Sequence, residues 1–404
     1  MTTENKIKDY ILKDINEDKV KASPDSFWAG LHECGTSLWL DTGDMDEAKE
    51  VWTAEMEALT TNNTLINKVI QKGIYDDFIP RTQDILSGLD HNRKIKETAF
   101  ILNARHGLRL ADKFGGFVSV ELHTGTANNI DEIVSYGLRY WDICPEKFII
   151  KVPYTASGLI GARLLKEKGV RINFTLGFSA RQDVMAACIA RPDYLNIFLG
   201  RIGAYVSDNK IGDGSGIGEK TVMETQKHIK KISGELGTNT RLIAASIRHH
   251  KQLEMLAGVD VFTIPPKIAA AGHDELTGSF SPNLEEDYQP GLSINPEDER
   301  MDRFWIVDEK LSALAHRLGN NLPDTGDKLE EIMRSEGFED MFPVLSSKEK
   351  QKISDDGKIP LRKTWLDKIN AGEIAPDTLL TLSGLASFTI DQNELDKRIA
   401  SIIK

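Results

Sequence analysis

The sequence predicts an α/β fold, a (β/α)8 TIM barrel with an N-terminal helical lead-in and a C-terminal helical elaboration. Three observations predict it. Eight short β-branched or aromatic runs recur between residues 38 and 265. Stretches of helical periodicity separate them. No GxGxxG follows the first run, which argues against an open dinucleotide-binding sheet. Strands alternating with helices specify a parallel sheet under helical cover, and eight is the strand number of the closed barrel.

The runs are LWLD (38–41), ALTTN (58–62), FVSVEL (117–122), KFIIKVP (147–153), VRINFTLGF (170–178), YLNIFLGRI (194–202), RLIAASI (241–247) and VDVFTIP (259–265). Between them, residues 156–169 carry apolar positions on one side and end at Gly169, placed for the positive-φ cap that glycine adopts cheaply. Residues 179–190 form a second helix with Ser179 as N-cap. The segment 66–110 holds two or three helices, and 217–239 one more with a turn at GELG. This organisation gives a charged lead-in laid on the outside over 1–30 and a barrel over 31–275. A loop and helix elaboration follows over 276–380, and a closing helix over 381–404. Within the elaboration, 276–300 is rich in turn formers and acids, 301–319 reads as a helix, and short helical pieces fill 322–375.

Composition limits the function classes. The chain has 404 residues, 40% hydrophobic and 28% charged, with a formal net charge of -12. Such a surface repels polyanions at long range, so nucleic acid is not an expected partner. A small phosphorylated substrate remains compatible, because local arginines outweigh a distant field. Nothing approaches the roughly 20 apolar residues of a membrane helix, and the first twenty residues are too charged for a signal peptide. The three cysteines, Cys34, Cys144 and Cys188, are widely spaced, with no CxxC. That argues against a disulfide framework or a cysteine metal site, and a cytoplasmic location is expected.

In a barrel the chemistry sits at the C-terminal ends of the strands. Polar residues inside the apolar runs are therefore the candidates. Lys151 lies within FIIKVP, where desolvation disfavours an ammonium and frees an amine to attack a carbonyl. The same pattern also suits a solvent-facing edge lysine or one paired with a carboxylate. Asp41 and Glu121 end their runs and could move protons as a pair, or could simply cap helices. Asn62, Asn173 and Thr175 could hold sugar hydroxyls or a water, or satisfy core hydrogen bonds. Arg201 and Arg248, read as strand-end arginines, could clamp a phosphate or pair with loop acids. His249 and His250 are adjacent with no third ligand near, so no metal site is expected. His123 lies two residues after Glu121 and is a candidate pocket wall with no assigned role.

These residues sit in motifs that resemble, in order and spacing, those of the transaldolase family, which includes the fructose-6-phosphate aldolases. The motifs are LDTGD (40–44), LTTN (59–62), VSVE (118–121), FIIKVP (148–153), INFTLGFS (172–179), FLGRI (198–202), ASIR (245–248) and FTIP (262–265). GLASFTIDQNELDKRIASII (384–403) resembles the family's closing helix. Each motif alone is weak; the ordered set is specific. The resemblance implies that Lys151 forms a Schiff base with a ketose and that Glu121 and Thr175 position a water. It implies that Asp41 is the acid–base of C3–C4 cleavage and that Asn62 and Asn173 hold the donor and its enamine. Ser246, Arg248 and Arg201 match the hydroxyl- and phosphate-binding set. The reaction implied is transfer of dihydroxyacetone from a ketose phosphate, such as sedoheptulose 7-phosphate or fructose 6-phosphate, to an aldose phosphate. It needs no metal or organic cofactor.

Three positions depart from the family pattern. Asn63 stands where proline is usual, Asn196 where a small hydroxyl residue is usual, and the stretch before the closing helix is longer than the family's long forms carry. Phe198 matches the transferring members, whereas the simple aldolases tend to carry tyrosine. The alternatives are an aldolase releasing dihydroxyacetone, a related enzyme with a modified donor, and an inactive barrel that binds a protein through 275–380. A homodimer is the default expectation.

Overall fold

The eight apolar runs become strands because they are rich in β-branched or aromatic residues, short and bounded by turn residues. In the computed structural model, which describes residues 2–403, they are β1 (Ser37–Asp41), β2 (Met56–Thr60), β3 (Phe117–Glu121), β4 (Phe148–Pro153), β5 (Ile172–Thr175), β6 (Tyr194–Phe198), β7 (Arg241–Ala245) and β8 (Val261–Ile264). They pair in sequence order, all parallel, and β8 closes on β1. The (β/α)8 expectation holds.

Alternate residues of each strand point inward, and contacts between non-neighbouring strands show it. Trp39 of β1 meets the ring of Tyr194 of β6 at 4.7 Å. Asn173 of β5 donates to Ser119 Oγ of β3 at 3.0 Å. Arg241 of β7 donates to Ser37 Oγ of β1 at 2.6 Å. The barrel is therefore a filled core from its N-terminal end up to the layer of Lys151, not a pore.

The helical cover forms where the caps stand. Ser179 accepts from Gln182 N at the start of helix 180–189, and Thr155 from Gly158 N at the start of helix 156–166. Gly169 takes φ +80 after the latter.

Several boundaries differ from the sequence reading. Strand β5 stops at Thr175 because Leu176 takes φ +67, which breaks the ladder. Strand β6 stops at Phe198, and Arg201 lies in the first turn of helix 199–208 rather than at a strand end. Residues 301–319 are not one helix. A short 3-10 turn, Met301–Phe304, is followed by helix 309–320, which starts afresh at its cap Asp308. The lead-in is two helices, Thr3–Leu12 and Ser26–Glu33, and its first helix is not merely laid outside, since Ile7 and Ile11 are buried in the main core. The closing helix begins at Pro376, with proline in its first turn where a missing N–H is harmless, and runs to Ile402.

That closing helix crosses the C-terminal mouth of the barrel. Near its start Thr381 donates to Leu176 O, after β5, at 2.9 Å. Near its end His123 Nε2, after β3, meets Asp396 Oδ2 at 3.1 Å. Its anchor is a buried ion cluster. The Arg181 guanidinium donates to both Asp377 oxygens at 2.8 and 2.7 Å and to Asp340 at 2.9 Å, and Arg300 reaches Asp340 from the other side at 2.9 Å. The 276–380 segment packs its helices on helices 156–166 and 180–189 and joins the same cluster through Arg300 and Asp340.

Removing Asp377 leaves a buried guanidinium without its bidentate partner. Asp377→Ala is expected to lower unfolding stability by about 3–5 kcal/mol. Arg398→Ala, which breaks an outlying pair with Asp76, should cost about 1 kcal/mol or less. Urea denaturation of both variants checks the contrast.

Candidate active site

Register brings the inward polar residues to one level. Glu121 is the register partner of Lys151, and Lys151 that of Asn173. Lys151 is 3% exposed. Its Nζ donates to Thr61 O at 3.2 Å and lies 3.9 Å from Glu121 Oε2, too far for a hydrogen bond. Glu121 Oε2 and Thr175 Oγ1 are both buried without a partner. Buried polar atoms are normally satisfied, so these two orphans on the strands flanking β4 call for a partner such as a water or a substrate group. Beside them Asn196 Nδ2 donates to Asn173 Oδ1 and to Phe174 O, and Asn173 Nδ2 donates to Ser119 Oγ, which locks both amides.

Burial raises Glu121 to about 7, although Lys151 and Arg201 pull it down. Burial likewise raises Asp41, against Lys151, Arg248 and Arg201. Two carboxyls are thus shifted towards neutral pH around one amine, which suits proton transfer. Asp41 is not a helix cap. Asp44 caps helix 45–51, and Asp41 is left facing the cavity. The buried imidazole of His106, lowered to about 4 by desolvation, bridges Gly43 O at 2.7 Å and Tyr75 Oη at 2.9 Å, and so holds the loop beyond Asp41.

A cavity of about 290 Å³ opens above this layer. Of the sequence candidates, Lys151, Asp41, Asn62, Asn196, Phe198, Arg201, Ser246 and Arg248 line it. Glu121, Asn173 and Thr175 do not reach the cavity wall and stand in the layer around Lys151. Asn62 has two roles, since its Oδ1 also accepts from Leu65 N as the cap of helix 63–71. His123 is absent from the wall and ties the closing helix instead. His249 and His250 lie apart from any candidate ion site, and among the described residues no His, Cys, Asp or Glu cluster suits a metal.

The cavity is cationic. Lys68, Lys151, Arg201, Arg248 and Lys358 line it against the single carboxylate of Asp41. Arg201 is 6% exposed, lies between the rings of Phe198 and Phe388, and its Nη1 has no partner. Burial and the repulsion of Arg248 lower it to about 10. The helix it begins has no side-chain N-cap, leaving its first amides available to an anion. Gly200 is required here: a Cβ would lie 2.2 Å from Ser246 O and 2.4 Å from Arg248 Cγ. Ser246 itself takes φ +62, a strained conformation of the kind found at binding sites. Lys68, Thr263, Phe388 and Lys358 also line the cavity and are not among the sequence candidates. Phe388 lies in the closing-helix motif and Thr263 in FTIP, whereas Lys358 carries no local signal.

The sequence model of the Transaldolase/Fructose-6-phosphate aldolase family matches residues 38–313. The chain belongs to that family. It is 28% identical over 257 residues to a transaldolase of Xanthomonas euvesicatoria pv. vesicatoria, covering 60% of this chain and 77% of the relative. It is 32% identical over 233 residues to a probable transaldolase of Thermus thermophilus, covering 56% and 86%. It is 26% identical over 313 residues to a transaldolase of Prochlorococcus marinus, covering 74% and 91%. Such relatives make it an enzyme of the transaldolase family. No helix among the described residues is long and apolar enough to cross a membrane.

Where the family pattern has proline after the asparagine, Asn63 opens helix 63–71. Its Nδ2 donates to Gln392 Oε1 at 2.8 Å and to Leu122 O at 3.4 Å. The loop after β2 is thus held by hydrogen bonds to the closing helix instead of by a ring.

The raised carboxyl of Glu121 has a stability consequence. A folded pKa of about 7 exceeds the ordinary carboxylate value, so the native state holds the proton more tightly. That contribution is complete below the ordinary value and is lost as pH rises through about 7. Glu121→Gln cannot ionise and should gain on the wild type between pH 5 and pH 8, by up to about 3 kcal/mol. Urea unfolding at pH 5, 6, 7 and 8 checks the sign. A difference that stays flat across this range would remove the buried-acid assignment.

Proposed function

We propose that this enzyme transfers a dihydroxyacetone unit from a ketose phosphate to an aldose phosphate through a Schiff base on Lys151. The observation that carries the reading is that Lys151 and Asp41 line one cationic cavity while Glu121 stands behind the wall, 3.9 Å from the Lys151 amine. The amine of Lys151 attacks C2 of the ketose. A proton from Glu121, relayed by a water in the space beside Thr175, lets the C2 oxygen leave as water and an iminium forms. Asp41 takes the proton of the C4 hydroxyl. The C3–C4 bond breaks, its electron pair moves into the iminium, and the aldose phosphate departs. The enamine on Lys151 then adds to the acceptor aldehyde, Asp41 returns the proton, and water attack frees the product.

Arg201, Arg248 and Ser246 are suited to the distal phosphate, and Asn62, Asn173 and Asn196 to the hydroxyls and the enamine. Phe198 supports transfer over simple aldol cleavage. An apolar wall supplies no hydroxyl to orient water at the enamine, which then survives until an acceptor arrives. Each step draws only on protein groups, substrate and water.

Borohydride reduction during incubation with fructose 6-phosphate tests the covalent step. Peptide mapping should find a dihydroxyacetone-mass adduct on the Lys151 peptide, absent from Lys151→Ala. Erythrose 4-phosphate added before reduction should discharge it; persistence of the adduct would point to an aldolase. Asp41→Ala should still trap, now with the mass of the intact sugar, while kcat falls roughly 10²- to 10⁴-fold. A folded wild type that traps no ketose at Lys151 would sink the proposal.

A further inference from the structure

The long segment between the barrel and the closing helix contributes one side chain to the cavity, that of Lys358. Its placement is built, not incidental. Gly357 ends helix 347–356 with φ +76 and ψ −147, a conformation open to glycine and costly for other residues. The residues after Lys358 are tied down. Asn209 Nδ2 donates to Pro360 O at 3.0 Å, and its Oδ1 accepts from Arg362 N at 2.8 Å. Leu361 N donates to Asp356 Oδ2 at 3.1 Å, and Arg362 pairs with Glu299. Asn209 ends helix 199–208, whose first turn carries Arg201. The turn bearing Lys358 and the helix bearing Arg201 are therefore one hydrogen-bonded unit.

The charges are equally telling. Two lysines of the same segment rest on acids, Lys352 on Asp356 and Lys368 on Glu349, both at 2.9 Å, whereas Lys358 is turned into the cavity. Among the described residues Lys358 has no carboxylate within salt-bridge distance, nor have Lys68, Arg201 or Arg248. Four unneutralised cations thus face one small cavity in a chain of net charge -12. Gathering like charges costs free energy unless an anion sits among them. The buried, unpartnered Nη1 of Arg201 independently marks where that anion is missing a donor's partner. Partial burial and then the repulsion of Arg201 lower the Lys358 amine, with Asp391 opposing and Lys68 and Arg248 adding to it.

We propose that Lys358 is a ligand of the substrate phosphate, closing over the group that Arg201 holds from the barrel side, so that the C-terminal segment sets the preference for phosphorylated over neutral sugars. Lysine supplies a point charge on a flexible stem, while the guanidinium supplies geometry. The inference rests on reading the cavity as a sugar-phosphate site and does not require covalent chemistry at Lys151.

Inorganic phosphate is titrated calorimetrically into the full chain as wild type, Lys358→Gln, Lys358→Arg and Lys348→Gln, the last an exposed lysine of the same segment. Lys358→Gln should bind phosphate about tenfold more weakly, equivalent to about 1.4 kcal/mol. Lys358→Arg should recover most of the affinity, and Lys348→Gln should stay within about twofold of wild type, since a screened distant charge changes little. In turnover, the loss for Lys358→Gln should fall on KM for fructose 6-phosphate more than on kcat. Equal phosphate affinity in Lys358→Gln and wild type overturns the proposal, and so does a wild type that binds no phosphate. Failure of borohydride trapping at Lys151 would defeat the transfer mechanism alone, leaving the phosphate titration to decide this site.

Discussion

Closure of eight parallel strands is the constraint from which the rest follows. Once β8 pairs with β1, every second residue of each strand must point into the barrel, and only the C-terminal ends open to solvent. The register then leaves little freedom. Glu121 stands beside Lys151 and Lys151 beside Asn173 because the strands pair at those residues. A slip of one residue would turn the amine outward among the helices. The packed layer beneath, with Trp39 against Tyr194, and the mutually bound amides of Asn173 and Asn196 beside the amine make such a slip costly.

The electrostatics of the cavity depend on that burial. In water, Asp41 and Glu121 would be plain carboxylates. Removed from water, both are raised, and Glu121 reaches about 7 despite a neighbouring lysine. On the other side of the cavity Arg201, Arg248, Lys68 and Lys358 all turn their basic groups inward. A chain whose net charge is -12 therefore presents one locally positive mouth, and focusing of the field there favours a small anion over a polyanion.

The C-terminal third takes part in this arrangement instead of standing apart as a separate module. The buried Arg181–Asp377 pair fixes the closing helix across the mouth, and Asp340 and Arg300 draw the 276–380 segment into the same cluster. Through Phe388 the closing helix walls the cavity, and through Gln392 it holds Asn63, where the loop after β2 passes into helix 63–71. The ordered loop after β2 traces back to this clamp, and the turn of Lys358 to the hydrogen bonds of Asn209.

What the sequence determined by itself is the barrel and its chemical layer. Strand runs, caps and polar interruptions such as Lys151 in FIIKVP are local signals, because burial in a two-residue period restricts which residue types fit. Local signals failed where tertiary contacts set the geometry. Leu176 ends β5 early by adopting positive φ, and Arg201 joins a helix although FLGRI reads as strand. Helix 309–320 restarts at a cap inside a periodic stretch. Pattern reading also could not tell which polar residues line the cavity and which lie under it, since Asn173 and Asn196 look alike in sequence and differ only in depth. Lys358 was beyond its reach altogether. A lysine after a glycine in a polar segment carries no periodicity, and its place beside Arg201 exists only because distant hydrogen bonds and a buried ion cluster bring that segment back over the barrel.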